Sequence, residues 1–155
     1  MNREIQIGDF APDFALQDQH GDIIRLSDFR TKSNVVLYFY PKDDTPGCTI
    51  EACGFRDKYY EFKNAKAEVI GISSDGSSSH FKFASKFQLP FTLLSDKGSK
   101  VRQLYNIPKS FIFIPGRVTF IIDQSGIIRH VFNSQLNAAK HVEEAIKVLE
   151  SIKSW

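Results

Sequence analysis

The stretch Val35-Val36-Leu37-Tyr38-Phe39-Tyr40-Pro41-Lys42-Asp43-Asp44-Thr45-Pro46-Gly47-Cys48-Thr49-Ile50-Glu51-Ala52-Cys53 decides the fold. Val35 to Tyr40 is a near-continuous apolar run of strand length, and such runs belong to central strands covered on both faces. Pro41, Pro46 and Gly47 break the strand before an amphipathic stretch begins, which predicts Cys48 in the first turn of a helix. There the unpaired backbone N–H groups and the positive end of the helix dipole favour a thiolate. The helix should run on through Phe55, Tyr59 and Phe62, which keep the spacing of a buried face, with Glu51, Arg56, Asp57, Lys58 and Lys63 on its other side.

Cys48 and Cys53 are the only cysteines in the chain. Five helical residues at about 100° each turn Cys53 roughly 140° away from Cys48, with a rise of about 7.5 Å. A disulfide needs Cα atoms within about 7 Å, so a bond between the two within one chain would require the first turns of the helix to unwind. The plainer alternative is two unreactive core thiols, cysteine being among the most buried residue types. The Pro-Gly entry into the helix argues against it.

Outward from this stretch, Phe14 to Leu16 and Ile23 to Leu26 flank the polar Gln17-Asp18-Gln19-His20-Gly21 as a β-hairpin, with Ser27 capping a short helical turn. Beyond the cysteine helix come a strand at Ala67 to Ser73, a helix at Ser77 to Phe87, a short strand at Thr92 to Leu94 and a short helix at Gly98 to Tyr105. Val118 to Asp123 and Ile127 to Phe132 flank Gln124-Ser125-Gly126, a tight hairpin signal. A last helix from about Ala138 to Lys153 buries Val142, Ala145, Ile146, Leu149 and Ile152. This order predicts an α/β fold with a central mixed β-sheet flanked by helices on both faces.

A chain of 155 residues with 42% hydrophobic content is enough for one well-packed domain, expected to span residues 1–155. The formal charge of +2 carries no basic block, which gives no reason to expect nucleic acid or a membrane surface as partner. No apolar stretch approaches the roughly 20 residues of a membrane span. Two cysteines make a poor framework for a secreted mini-protein, and the N-terminus does not resemble a signal peptide. A reducing compartment is expected, the cytoplasm or, after removal of a transit peptide, the chloroplast. His20, His80, His130 and His141 are scattered without ligand spacing, so they read as surface or packing residues and no metal is expected.

A β-α-β unit, a later hairpin and a terminal helix, with the cysteine at the end of the first βα loop, resemble a thioredoxin fold. Pro41, Thr45 and Cys48 reproduce the Pro-x-x-x-Thr-x-x-Cys signature of peroxiredoxins, and Arg117 in Pro115-Gly116-Arg117-Val118-Thr119-Phe120 stands where that family has its active-site arginine. The string from Asp44 to Asp57 is similar to the peroxiredoxin Q branch, also called bacterioferritin comigratory protein. The likeness runs from Gly8-Asp9-Phe10-Ala11-Pro12-Asp13-Phe14 to the last helix. One segment departs from many bacterial members: Ile107 to Gly116 is apolar and is similar to the plant and cyanobacterial type. It reads either as a packed loop above the sheet or as a partner or substrate surface.

The resemblance implies a thiol peroxidase without metal, flavin or haem. Cys48 would attack a hydroperoxide and become a sulfenic acid, and Cys53, the resolving cysteine, would condense with it to an intramolecular disulfide. Thioredoxin or a similar dithiol would reduce that disulfide, and a monomer is expected. Ionisation alone does not make such an enzyme fast. Lowering a cysteine pKa from about 8.5 to about 6 raises the thiolate fraction at neutral pH about thirtyfold, or about 2 kcal/mol of barrier. The rest must come from groups that align the peroxide and stabilise the leaving oxygen.

Four residues suit that task. Thr45 can accept the peroxide proton and donate onward, the N–H groups of Gly47 and Cys48 can donate to peroxide oxygens, and Arg117 can bond both sulfur and oxygen. Pro41, with Pro46, would shape the pocket and shield the sulfur; Glu51 either orients Arg117 or is solvated. Two rival readings remain. A disulfide reductase would want Cys-x-x-Cys and a facing cis-proline, where this chain has a longer spacing and Gly116-Arg117. A non-catalytic redox sensor or holdase would use the same unwinding to expose Phe55 and Tyr59.

Overall fold

The computed structural model describes residues 5–107, 116–135 and 137–152. Most of the apolar segment Ile107 to Gly116, residues 108–115, and the expected helix end at Lys153 lie outside the described residues. One seven-stranded sheet organises the rest. Strands β1 (Ala15–Gln17) and β2 (Ile23–Arg25) form the expected hairpin, followed by β3 (Asn34–Phe39), β4 (Ala67–Ser73), β5 (Thr92–Ser95), β6 (Val118–Ile122) and β7 (Ile128–Asn133). Their spatial order is β2-β1-β5-β4-β3-β6-β7. The pairs β3–β4 and β4–β5 are parallel, while β1–β2, β1–β5, β3–β6 and β6–β7 are antiparallel, so the sheet is mixed as expected.

β3 lies near the centre because its apolar run feeds two cores at once. Val36, Tyr38 and Tyr40 face one side, with Phe55, Phe62, Phe83, Val142 and Leu149. Val35, Leu37 and Phe39 face the other, with Leu26, Val101, Tyr105 and Phe120. The Tyr38 ring crosses Gly71, its register partner on β4, where a Cβ would come within 2.8 Å of the ring. Helices α1 (Pro46–Asp57), α2 (Tyr59–Asn64), α3 (Ser77–Phe87) and α5 (Ala138–Ser151) contribute to the first core, and α4 (Lys100–Leu104) to the second. None of these helices is long and apolar enough to cross a membrane.

Two local expectations need correction. The helix that starts before Cys48 does not run unbroken to Phe62. Lys58 (φ −103°, ψ 13°) leaves helical geometry, and its carbonyl accepts from the N–H groups of both Glu61 and Phe62, which start α2 as a separate turn. Ser27 does not cap its short helical turn, which spans Leu26–Phe29. Arg25 occupies the capping position, and its N–H donates to Asp28 Oδ2 at 3.2 Å.

Candidate active site

Cys48 sits where the sequence places it. Thr45 is the capping residue of α1, Pro46 and Gly47 open the first turn, and the first intrahelical bond runs from Thr49 N–H to the Thr45 carbonyl at 2.8 Å. The N–H groups of Gly47 and Cys48 precede that bond and are the ones a helix start presents to an anion. The sulfur is buried, with the residue 1% exposed, while Cys53 is half-buried; both are free thiols. With both on α1, the pair keeps the helical separation that precludes a bond in this state.

Arg117, directly before β6, reaches across to the helix. Its Nη2 donates to Cys48 Sγ at 3.4 Å, its Nη1 to Glu51 Oε1 at 2.5 Å and its Nε to the Gln135 carbonyl at 3.3 Å. Gly47 makes room for this: a Cβ there would stand 3.0 Å from Arg117 Nη2. Thr45 Oγ1 donates to the Lys42 carbonyl at 2.9 Å, which commits its hydrogen and leaves its lone pairs to accept. Pro41 is half-buried and Pro46 exposed.

Glu51 does not lie on the solvated side of α1. It is fully buried with Cys48, Ala52 and Phe55, at the i, i+3, i+4, i+7 spacing of one helix face. Pairing with Arg117 lets a carboxyl group occupy that face. Burial pushes its pKa up to about 8 against the pull of Arg117. Behind it His141 on α5 is also fully buried. Its Nε2 faces the Ser134 carbonyl at 2.7 Å, Thr119 Oγ1 lies 2.7 Å from its Nδ1, and Glu51 Oε2 lies 3.6 Å from the same Nδ1. Burial brings the His141 pKa down to about 4, so the ring is neutral at pH 7.

A second buried network supports the loop that carries Pro41 to Thr45. Asp43 accepts from Tyr40 Oη (2.6 Å) and Ser79 Oγ (2.8 Å), and its Oδ2 lies 2.8 Å from His80 Nδ1. The other ring nitrogen of His80 faces the Leu94 carbonyl at 2.9 Å, and the Asp43 N–H donates to Asp75 at 2.8 Å. Arg102 ties the ends of the site together, donating to the carbonyls of Tyr40 (2.9 Å) and Gly116 (2.6 Å). Two of the four histidines are packing residues, as expected, but they are not isolated: His80 joins Asp43 and Asp75 in one cluster, and His141 abuts the Glu51–Arg117 pair. The cluster has the residue types of a cation site. Its donor atoms, however, already serve as hydrogen-bond partners of one another and of Ser73, Ser79, Tyr40 and Leu94. His80 shares the buried face of α3 with Phe83 and Ala84, and His141 that of α5 with Ala138, Val142 and Ala145. Helical spacing alone could have marked both.

The AhpC/TSA family pattern matches residues 7–131. Peroxiredoxin Q, chloroplastic, from Sedum lineare is 51% identical over 147 residues, covering 94% of this chain and 78% of that one. The crystal structure of peroxidoxin BcpB from Mycobacterium tuberculosis superposes with a TM-score of 0.89 at 36% identity, over 96% of this chain and 99% of that one. The bacterioferritin comigratory protein of Xanthomonas campestris, described with alkyl peroxide reduction activity, superposes with a TM-score of 0.86 at 25% identity, over 98% and 99%. The thioredoxin-like fold is that of these proteins. This chain belongs to the AhpC/TSA family and, within it, to the peroxiredoxin Q branch of thiol peroxidases.

Proposed function

We propose that Cys48 is the peroxidatic nucleophile of a thioredoxin-dependent peroxidase acting on hydrogen peroxide and organic hydroperoxides. The observation that carries this reading is the Arg117 guanidinium, held by Glu51 on one nitrogen and by the Cys48 sulfur on the other. A peroxide entering above Cys48 meets a cation on one side and the N–H groups of Gly47 and Cys48 on the other. The thiolate attacks one oxygen, the O–O bond breaks, and the second oxygen leaves toward Arg117, whose charge and fixed donors stabilise it. Thr45 accepts the peroxide hydrogen, its own already given to Lys42. Pro41 limits water access without adding a donor.

Cys53 is the resolving thiol. The sulfenic acid on Cys48 condenses with it, water leaves, and the disulfide forms once the start of α1 unwinds; the break at Lys58 separates that unwinding from α2. A dithiol such as thioredoxin then reduces the bond. We assign the chain to a single domain and a monomer, and the chloroplastic names of its relatives favour the plastid interior over the cytoplasm. Stopped-flow oxidation by a panel of hydroperoxides tests this. Cys48→Ser should lose all turnover, and Cys53→Ser should complete one round to the sulfenic acid and stop. Peroxide reduction retained by Cys48→Ser sinks the assignment. Consumption by the unaltered protein that stops after one equivalent, with thioredoxin and its reductase present, favours a sensor.

A further inference from the structure

Glu51 Oε2 is fully buried and has no hydrogen-bond partner among the described residues. The atom it faces is His141 Nδ1, 3.6 Å away. His141 Nε2 must carry a hydrogen, because the Ser134 carbonyl 2.7 Å from it can only accept. Nδ1 of the neutral ring is then a lone pair, and the Thr119 hydroxyl points its hydrogen there. An ionised Oε2 would set a full negative charge against that lone pair with no hydrogen between them. A hydrogen on Oε2 turns the same approach into an O–H···N contact shared with Thr119. Around Glu51 stand Cys48 on its own helix, Arg117 before β6, His141 on α5 and Tyr38 on β3. Arg117 is the one cation among them, and Cys48 also draws on it.

We propose that Glu51 is a neutral carboxylic acid in the reduced protein, its hydrogen lodged on Oε2 against His141, and that it gives this proton up when Cys48 and Cys53 join. His141 is the positioning residue that keeps the acid neutral and so leaves the charge of Arg117 to the Cys48 sulfur. The inference rests on the disulfide reading above. Oxidation of one thiolate and one thiol by a hydroperoxide takes up one proton: Cys–S⁻ + Cys–SH + ROOH + H⁺ gives the disulfide, ROH and water. Unwinding of α1 brings Glu51 into water, where a carboxyl ionises at its ordinary pKa, and the proton it releases supplies the one consumed. Burial, the cause that pushes Glu51 up to about 8, is absent from the unwound state, so the exchange operates between the ordinary carboxylate range and about pH 8. The Tyr38 phenol, raised well above its usual range by burial and then by Glu51, keeps its proton throughout.

The test counts protons per disulfide in weakly buffered solution with a pH indicator, with disulfide formation followed separately by thiol titration. Near pH 7, Glu51→Gln should take up about one more proton per disulfide than the unaltered protein, and the difference should vanish well above pH 8. The starting state of Cys48 is measured in each protein by thiolate absorbance, and any difference between the two is subtracted from the count. Equal uptake by the two proteins near pH 7 overturns the proposal; failure of the unaltered protein to form the disulfide overturns the resolving role of Cys53 instead. Glutamine reproduces the acid, an acceptor for Arg117 and a donor toward His141. Imidazole nitrogen shifts of reduced protein should report His141 with Nδ1 bare. A doubly protonated ring at pH 7 would assign the proton to His141 and reject Glu51 as its holder.

Discussion

Two buried polar networks flank the loop from Pro41 to Cys48, and they differ in how completely they are satisfied. Around Asp43, the carboxylate accepts from Tyr40 and Ser79 and meets His80, while its N–H is taken by Asp75. Around Glu51, Arg117 takes one oxygen, and among the described residues neither the other oxygen nor the nearby Tyr38 hydroxyl has a hydrogen-bond partner. A network with every member paired holds one geometry, because any displacement exposes an unpaired buried group. A network with orphan atoms has lower resistance to change and a proton whose place depends on its surroundings. Asp43 builds the loop; Glu51 and Arg117 operate on what the loop carries.

Substitutions should therefore split between stability and rate. Asp43→Ala leaves His80, Tyr40 and Ser79 without their common acceptor in the interior, and should cost about 3–5 kcal/mol of unfolding free energy, read by urea denaturation of the reduced protein. Stability unchanged within about 1 kcal/mol would mean that water replaces the carboxylate and that the network is no scaffold. Arg117→Ala should lower the second-order rate of Cys48 oxidation about 100- to 1000-fold, beyond what any change in thiolate fraction accounts for. A loss no larger than a separately measured thiol titration predicts would remove its role toward the leaving oxygen.

The two networks were not equally legible. The strand, the Pro-Gly break and the helix start that position Cys48 are local patterns, and β4 and α3 come out with the expected bounds, Ala67–Ser73 and Ser77–Phe87. Only its place in a family motif marks Arg117, since an arginine at a strand start has no local signature. Glu51 reads from sequence as either a partner of Arg117 or a solvated residue, because a carboxylate is rarely buried alone and its partner lies 66 residues away. Asp43 and His80 are separated by 37 residues, and Thr119 and His141 by 22. Such pairings are made by the register of β3, β6 and the helices above them, which no window of sequence contains. Periodicity carried a usable hint in each case, as a polar residue on the buried stripe of its helix is a demand for a partner elsewhere.

Smaller changes probe the operating network without touching its charges. Gly47→Ala adds a methyl group 3.0 Å from Arg117 Nη2, and Arg117 is held on its other nitrogen by Glu51. The guanidinium must move by a few tenths of an ångström, which should slow Cys48 oxidation about tenfold. Alanine in place of glycine favours the helix by up to about 1 kcal/mol, so stability should hold or rise while the rate falls. A fall in both would show that the methyl group disrupts the helix start rather than the arginine.

The pH dependence of stability separates the two buried groups beside Arg117. Glu51 has its folded pKa raised from 4.5 to about 8 by burial, so its contribution is fully present below 4.5 and is lost as pH rises to about 8. His141 has its folded pKa lowered from 6.5 to about 4, again by burial, so its contribution is present above 6.5 and is lost as pH falls toward 4. The two slopes oppose each other between 4.5 and 6.5, and Glu51 alone of this pair acts between 6.5 and 8. Reduced protein should lose thermal stability across that upper window, and Glu51→Gln should flatten the loss. An equal decline in the variant would place the titrating group elsewhere and return Glu51 to an ordinary ion pair, as fully committed to one state as Asp43.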